Sequence, residues 1–431
     1  MIFNPQDQFM NLETIQVAQQ QKLHQLVQHV YANSTYWKTI MDTRNIHPTT
    51  FVVEDLEKFP VITKENLQKH LSDMICVSKS EIIDYVCTSG TTASPINIPL
   101  TNTDLDRLAE NEYQSMLLTG ATKDDIFQIC TTIDKQFMAG LAYFLGIRKL
   151  GAGIIRQGIG AVKTHWNTIE SLQPTYLIAV PSFVVKLINY AIENGIDYQN
   201  SSVKKIICIG ENIRKEDFSL NAVGQKIADS WNVRLFSTYA SSEMATAFTE
   251  CEHGNGGHHN EDLLSIELLD QQNNPVKPGE IGELTITTLG MEAFPLIRYK
   301  TGDLCTLHYE PCACGIHTAR ISPILGRTAQ RIKYKGTTFY PSAIFEVLHQ
   351  FDAIKDHAIV LETNNYDSDD VHIHIALQDT TLITSIKEAV KTTIRVLPTI
   401  TIHDSLVMLR KKHNVAHKRK LSKVIDLRAK T

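Results

Sequence analysis

Long hydrophobic runs are missing from this 431-residue chain. No eighteen consecutive residues are apolar, so no membrane-spanning helix is expected. The first residues, Met1-Ile2-Phe3-Asn4-Pro5-Gln6-Asp7, lack a basic stretch followed by an apolar one. No secretory signal is therefore expected, and the cytoplasm is the expected location. No repeat of fixed period is visible, which argues against a solenoid. The chain contains no GxxxxGK[ST], so it has no mononucleotide P-loop, and the pairs Gly151/Gly153 and Gly158/Gly160 do not complete a GxGxxG. No Ser-His-Asp set stands out. A large excess of either charge is missing too: the formal net charge is −5, which implies no general nucleic-acid or membrane partner. Only the tail from Arg410 to Lys430 is strongly basic, with Asp426 its single acid. Eight cysteines in a cytoplasmic chain are expected to be free or metal-bound rather than paired.

What is present is 43% hydrophobic content over a length that exceeds one compact domain, so two domains are expected. Leu12 to Met41 reads as one helix, with Leu23, Leu26, Val27, Val30 and Tyr31 as its apolar stripe. Short apolar runs then alternate with helical stretches. The runs are Phe127 to Thr131, Ala152 to Ile155, Thr175 to Val180, Lys205 to Ile209 and Leu235 to Tyr239. That alternation predicts a layered α/β domain. Thr103 is the expected N-cap of a helix from Asp104 to about Leu118, ended by Gly120. Ser265 to Asp270 and Gly282 to Thr287 predict a β-rich subdomain. Beyond it, strands at Ala358 to Glu362, Val371 to Leu377 and Thr399 to His403, with a helix from Thr384 to Leu397, predict a small α+β domain.

The densest chemistry lies at Thr88-Ser89-Gly90-Thr91-Thr92-Ala93-Ser94-Pro95. Hydroxyls and small residues can donate to phosphate oxygens and let backbone N–H groups approach a ligand. Pro95 and Pro99 disfavour a helix after the loop, so it reads as the tip of a hairpin between Ile82–Val86 and Ile96–Leu100. A second cluster is Cys251 with Cys312-Ala313-Cys314. Cys-X-Cys can present two thiolates to one metal across a turn, and a histidine would complete a tetrahedral Cys₃His zinc set. Four further segments follow the hydroxyl loop: Gly210-Glu211; Tyr239-Ala240-Ser241-Ser242-Glu243; Arg298-Tyr299-Lys300-Thr301-Gly302-Asp303; and Gly326-Arg327 with Lys333 and Gly336 beyond.

In this order the segments resemble the adenylate-forming acyl/aryl-CoA ligase superfamily, and most closely its phenylacetate–CoA ligase branch, from about Leu23 to Arg428. The resemblance implies an adenylation domain over residues 1–327 and a small mobile domain over 328–431. It implies an AMP-forming ligase that joins an aryl acid to coenzyme A through an acyl-adenylate. The alternatives are transfer of the acyl group to a carrier protein or other acceptor, and a nucleotide-binding homologue without the second half-reaction. The expected ligands are ATP/AMP, Mg²⁺, coenzyme A and a structural Zn²⁺; a homodimer is compatible with this reading.

The same resemblance implies roles for single residues. Thr88, Ser89, Gly90, Thr91 and Thr92 would contact phosphates. Gly210, Glu211, Ser237, Thr238, Tyr239, Ala240, Ser241 and Ser242 would surround the nucleotide, with Tyr239 on the adenine. Asp303 would accept from the ribose hydroxyls, and Arg327 would pair with ribose or phosphate. Glu243 would hold Mg²⁺. Phe137, Ala139, Gly140, Pro181 and Ala240 would wall the acid pocket. Lys420, in a tail resembling "GKxxRVxDxR", would be the catalytic lysine, and Gly336 would face the coenzyme A side. Matching "GGHHNED" to a relative's motif selects His258 as the fourth zinc ligand, with His253 and His317 as rivals. Phe59-Pro60-Val61-Ile62-Thr63-Lys64 resembles the family's "FPVxxK" connector, and no chemistry is assigned to it. The chain departs from the pattern at Ala93, Ser94, Ala240 and Ala329, and Thr328-Ala329-Gln330 lacks the usual hinge aspartate.

Overall fold

Short runs such as Tyr176-Leu177-Ile178-Ala179, buried at every residue, suit strands covered on both faces. They form the parallel half of a nine-stranded sheet in the computed structural model, which describes residues 12–88, 95–363, 369–413 and 423–428. The chain divides into two units: Met1–Leu220 with Gly224–Ile324, and Asn221–Val223 with Leu325–Thr431. No helix among the described residues is long and apolar enough to cross a membrane.

In the first unit, α1 (Leu12–Asn33) and α2 (Thr35–Thr43) replace the single helix expected over Leu12 to Met41. Ser34 separates them. Its backbone is extended, its Oγ accepts from the Trp37 N–H, and its hydroxyl donates to the Asp73 carbonyl. A serine that caps a new helix in this way ends the old one. After α3 (Lys64–Met74) comes an antiparallel hairpin of β1 (Asp84–Cys87) and β2 (Asn97–Leu100). Helix α4 (Asn102–Leu118) starts two residues earlier than expected. Thr101, not Thr103, is its cap: Thr101 Oγ1 accepts from the Asp104 N–H and the Asp104 carboxylate accepts from the Thr101 N–H. Gly120 follows with φ +69°, the left-handed turn that glycine tolerates at a helix end.

Next come β3 (Ile126–Ile129), α5 (Met138–Leu150), β4 (Gly153–Arg156), α6 (Val162–Leu172), β5 (Tyr176–Ala179), α7 (Pro181–Glu193), β6 (Lys205–Ile209), α8 (Ala222–Ser230) and β7 (Arg234–Ser241). Strands β4-β3-β5-β6-β7 run parallel in that order. The sheet then turns antiparallel through β8 (Thr246–Glu250), β9 (Gly257–His258), β14 (Arg320–Ile321) and β13 (Leu307–His308). A second sheet places β11 (Gly282–Thr288) between β10 (Leu264–Leu269) and β12 (Tyr299–Cys305).

The second unit opens with β15 (Gly326–Arg327) and the hairpin β16 (Ile332–Tyr334) and β17 (Thr337–Phe339). Its turn residues Lys335 and Gly336 both have positive φ, +48° and +79°, the geometry of a two-residue hairpin turn. That turn is sufficient reason for the glycine. Helix α9 (Pro341–Leu348), β18 (Ile354–Thr363), β19 (Asp369–Leu377), α10 (Ile383–Ile394), β20 (Thr399–His403), α11 (Val407–Lys412) and β21 (Val424–Asp426) complete the unit, in a sheet of order β20-β19-β18-β21. The expected extension of α10 to Leu397 is cut short at Arg395, whose φ is +62°.

Arg298 belongs to the family-like "PLIRY" run, yet its side chain is spent on the fold. Its guanidinium pairs with both carboxylate oxygens of Glu267, at 3.0 Å each, and donates to the Glu57 and Phe59 carbonyls. The start of the strand carrying Asp303 is thereby tied to β10 and to the segment before α3. Removing one partner of a buried pair leaves the other charge unpaired, so Arg298→Ala should destabilise the first unit by roughly 3 kcal/mol or more. Chemical denaturation checks this; a loss below about 1 kcal/mol, the value of an exposed pair, would contradict it.

Helices α4 and α5 approach closely, since a Cβ on Gly146 would lie 2.3 Å from Glu112 Cβ. Glu112 is wholly buried there. Asn111 donates to its Oε1, its Oε2 has no hydrogen-bond partner, and burial pushes its pKa up from 4.5 to about 7. The folded chain holds this proton more tightly than the unfolded chain. Its contribution to stability is therefore complete below about pH 4.5 and is lost as pH rises through about 7. Glu112→Gln should flatten the pH dependence of the denaturation midpoint between pH 5 and 8 and stabilise the protein at pH 8 by up to about 3 kcal/mol. An unaltered pH profile would remove Glu112 from this account.

Candidate functional site

Parallel strands place their carboxyl ends on one edge, where ligands of open α/β sheets collect. Here that edge gathers the loop from Cys130 to Phe137 after β3, Pro181 and Ser182 after β5, Gly210 and Glu211 after β6, and Tyr239 to Glu243 at the end of β7.

Tyr239 and Asp303 meet there. The Tyr239 hydroxyl donates to Asp303 Oδ2 at 2.8 Å. Burial first, and then the Asp303 charge, push the Tyr239 pKa well above its ordinary value, so the phenol stays a donor. Asp303 is buried and lies inside β12 rather than in a turn. Two residues beyond β7, Glu243 lies 3.8 Å from Lys64 Nζ at the start of α3. The turn that holds Glu243 is fixed from behind. The buried Arg107 guanidinium donates to the carbonyls of Ala245 (2.9 Å), Met244 (3.5 Å), Leu289 (2.7 Å) and Leu263 (2.5 Å).

Other expected residues are brought to this edge but are engaged by the protein. Glu211 accepts from both the Ser182 N–H and its hydroxyl, at 3.0 Å each. Its carboxylate thus caps the N-terminus of α7, where negative charge is favoured. Thr238 shares a 2.8 Å hydrogen bond with Thr249, and the Ser237 N–H donates to buried Glu250, itself paired with Arg214. Ser241 Oγ accepts from the Met244 N–H. Thr88 closes the base of the hairpin loop, with its N–H donating to the Ile96 carbonyl and its Oγ1 accepting from the Ile96 N–H. Ser89, Gly90, Thr91, Thr92 and Lys420 lie outside the described residues. Arg327 and Gly336 belong to the second unit.

Of the residues expected to wall an acid pocket, Phe137, Pro181 and Ala240 lie on this edge. A cavity of about 390 Å³ is lined by Asp84, Val86, Leu105, Ile133, Gln136, Phe137 and Leu141. It includes Phe137 but not Ala139, Gly140, Pro181 or Ala240. Gly140 has a packing reason of its own, because a Cβ there would lie 2.0 Å from the Thr132 carbonyl oxygen. The sequence reading missed the placements of Lys64 and Arg107. Lys64 carried a signal, its place in the family-like connector. Arg107 carried none, since a helical arginine is ordinarily a surface residue.

At the other side of the sheet, pairing of β9 with β14 sets Arg320 opposite His258 and brings the loop of Cys312 and Cys314 beside the end of β8. Cys251, His258, Cys312 and Cys314 present ligand atoms all within 4.8 Å of one another, the one such group among the described residues. Cys251 Sγ is 3.6 Å from Cys312 Sγ, and Cys314 Sγ is 3.5 Å from His258 Nε2. Tetrahedral zinc with sulfur at about 2.3 Å and nitrogen at about 2.0 Å spaces its ligands by about 3.5–3.8 Å, so the set fits that ion. His259 is committed elsewhere, its Nε2 lying 2.8 Å from the Leu264 carbonyl.

Comparison with known proteins agrees with this geometry. The phenylacetate–coenzyme A ligase of Thermus thermophilus is 26% identical over 385 residues, 88% of this chain and 85% of that protein. The Escherichia coli phenylacetate–coenzyme A ligase is 26% identical over 379 residues, 86% of this chain and 84% of that protein. A crystal structure of 2-hydroxyisobutyryl-CoA ligase in the postadenylation state matches with a TM-score of 0.85 at 21% identity, over 98% of this chain and 91% of that one; at that identity the likeness speaks for the fold alone. The family described as AMP-binding enzyme matches residues 13–292. The chain belongs to that family and is an adenylate-forming enzyme similar to the phenylacetate–coenzyme A ligases.

Proposed function

We propose that the protein is an ATP-dependent, AMP-forming ligase that converts an aryl carboxylic acid of the phenylacetate kind to its coenzyme A thioester. The observation that carries this reading is the Tyr239–Asp303 pair, with Glu243 two residues past the strand that bears Tyr239, in a chain that matches phenylacetate–coenzyme A ligases over 86–88% of its length. In the first half-reaction the acid's carboxylate oxygen attacks the α-phosphate of ATP, and pyrophosphate leaves with the electron pair of the broken bond. In the second, the thiol of coenzyme A attacks the acyl carbon and AMP leaves.

An anion attacks a polyanion in the first step, so cations and oriented donors supply most of the stabilisation. Asp303 would accept from the ribose hydroxyls as well as from Tyr239, since a carboxylate offers about four acceptor sites. The Tyr239 ring offers an apolar face to the base. Glu243 is a hard oxygen ligand suited to Mg²⁺, which commonly takes one or two protein carboxylates and completes its shell with phosphate and water. Bound there, the ion would neutralise phosphate charge. Lys64 is a second cation within reach of the same carboxylate. Lys420 and the hydroxyls of Thr88, Ser89, Thr91 and Thr92 keep the phosphate-facing roles that the resemblance gives them.

The test is a panel of carboxylic acids assayed for ATP–pyrophosphate exchange, then for thioester formation on adding coenzyme A. Arylacetic acids should support both. Asp303→Ala should weaken nucleotide binding at least tenfold, because each hydrogen bond to a charged acceptor contributes roughly 1.5–3 kcal/mol. Exchange with no acid would refute the ligase reading, and exchange with aliphatic acids alone would refute the aryl one.

The thiol-imidazole set is proposed to hold a structural Zn²⁺. In such sites metal-binding energy is folding energy. Protein purified without added metal should contain about one zinc per chain by elemental analysis, as one four-ligand site requires. Cys314→Ser should lose the metal and lower the thermal midpoint. A metal-free protein of unchanged stability would sink the proposal.

A further inference from the structure

The second unit carries a pair of imidazoles at metal-ligand spacing, on the sheet face that its main core leaves unused. On β19, Val371, Ile373, Ile375 and Leu377 pack into the core with α9 and α10. Strand alternation then sends His372 and His374 to the opposite face. On β20, Ile400 and Ile402 pack against the same core, and His403 joins the histidine face. Parallel pairing sets His374 opposite Thr401 and His403 opposite Ala376. The two imidazoles meet diagonally: His374 Nδ1 lies 2.9 Å from His403 Nε2, with ring centroids 5.1 Å apart. Lys412 and His413, at the end of α11, lie within electrostatic reach of His374.

Two nitrogens bound at about 2.1 Å to one ion and at right angles to each other are about 3.0 Å apart. The observed separation is that of adjacent corners of an octahedral or square-planar site. Imidazole nitrogen in this arrangement suits Ni²⁺, Cu²⁺ or Zn²⁺ rather than Mg²⁺ or Ca²⁺. We propose that His374 and His403, with solvent in the remaining positions, form a binding site for a borderline divalent transition-metal ion, separate from the thiol set of the first unit. The ion would clamp β19 to β20, an edge strand of this sheet.

The experiment is calorimetric titration of Ni²⁺ into the full chain with its cysteine set intact, near neutral pH. One ion per chain should bind in the micromolar range. His374→Ala and His403→Ala should each weaken binding at least tenfold, and His372→Ala should leave it within about twofold of the wild type. His403→Gln keeps a hydrogen-bonding partner for His374 but no imidazole; it should fold normally and still lose the ion. His24→Ala, in the first unit, should bind as the wild type does. Binding that survives His374→Ala and His403→Gln would place the ion elsewhere among the 17 histidines and overturn the proposal. Absence of any micromolar binding would also overturn it, leaving the pair as a shared hydrogen bond. Neither result depends on ligase activity, so failure here and failure of the proposed function are distinguishable.

Discussion

A single guanidinium, that of Arg107, holds together the segments on which the candidate site rests. It is fully buried, and burial lowers its pKa only to about 10, so it remains charged at neutral pH. A buried charge costs several kcal/mol unless hydrogen bonds satisfy it. Arg107 meets that cost with four backbone carbonyls from three different stretches of chain: the turn after β7, the segment entering β10 and the residue after β11. Those carbonyls converge on the cation, and that of Leu263 also accepts from the Leu289 N–H. One turn earlier on the same helix, Asp104 accepts from the N–H groups of Glu292 and Ala293. A cation and an anion on α4 thus do for irregular backbone what strand partners do elsewhere, and the turn bearing Glu243 has its position because of them.

How far this could be read in advance follows from the range of the interactions. Tyr176 to Ala179 and Lys205 to Ile209 were visible as strands because a doubly covered strand is apolar throughout. The Cys-X-Cys pair was visible because spacing is local, and β9–β14 pairing then brought Cys251 and His258 to it. The break at Ser34 was not visible, since it depends on a carbonyl 39 residues away. Nor was the use of Glu211 as a cap for α7, or of Arg298 as a strut to Glu267 and the Glu57 and Phe59 carbonyls. In each case the residue type was legible and its partner was not. A motif identifies chemistry that a position can perform; the folded chain decides how much of that capacity the protein itself consumes.

Strand β7 is the seam of the large sheet, parallel to β6 on one side and antiparallel to β8 on the other. It carries Tyr239 at its end, and its partner β8 runs on to Cys251. Tyr239 of the candidate nucleotide site and Cys251 of the candidate metal set are therefore linked through one pair of hydrogen-bonded strands. Buried Glu250 ties the two strands further, accepting from the Ser237 N–H while paired with Arg214.

Helix α4 is unusual in what it buries. Glu110 takes Gln114 and Lys149, Gln114 takes Asn260, and Ser115 takes Thr249. An apolar helix in an apolar socket can be displaced by one turn, about 5.4 Å, and still find a surface to cover. A helix studded with donors and acceptors cannot, because every displaced group would be left without its counterpart in a medium where that is costly. The polar face of α4 therefore works as a key with one seating. Its packing is digital, either fully engaged or lost, and the strands around it take their places from the same lock.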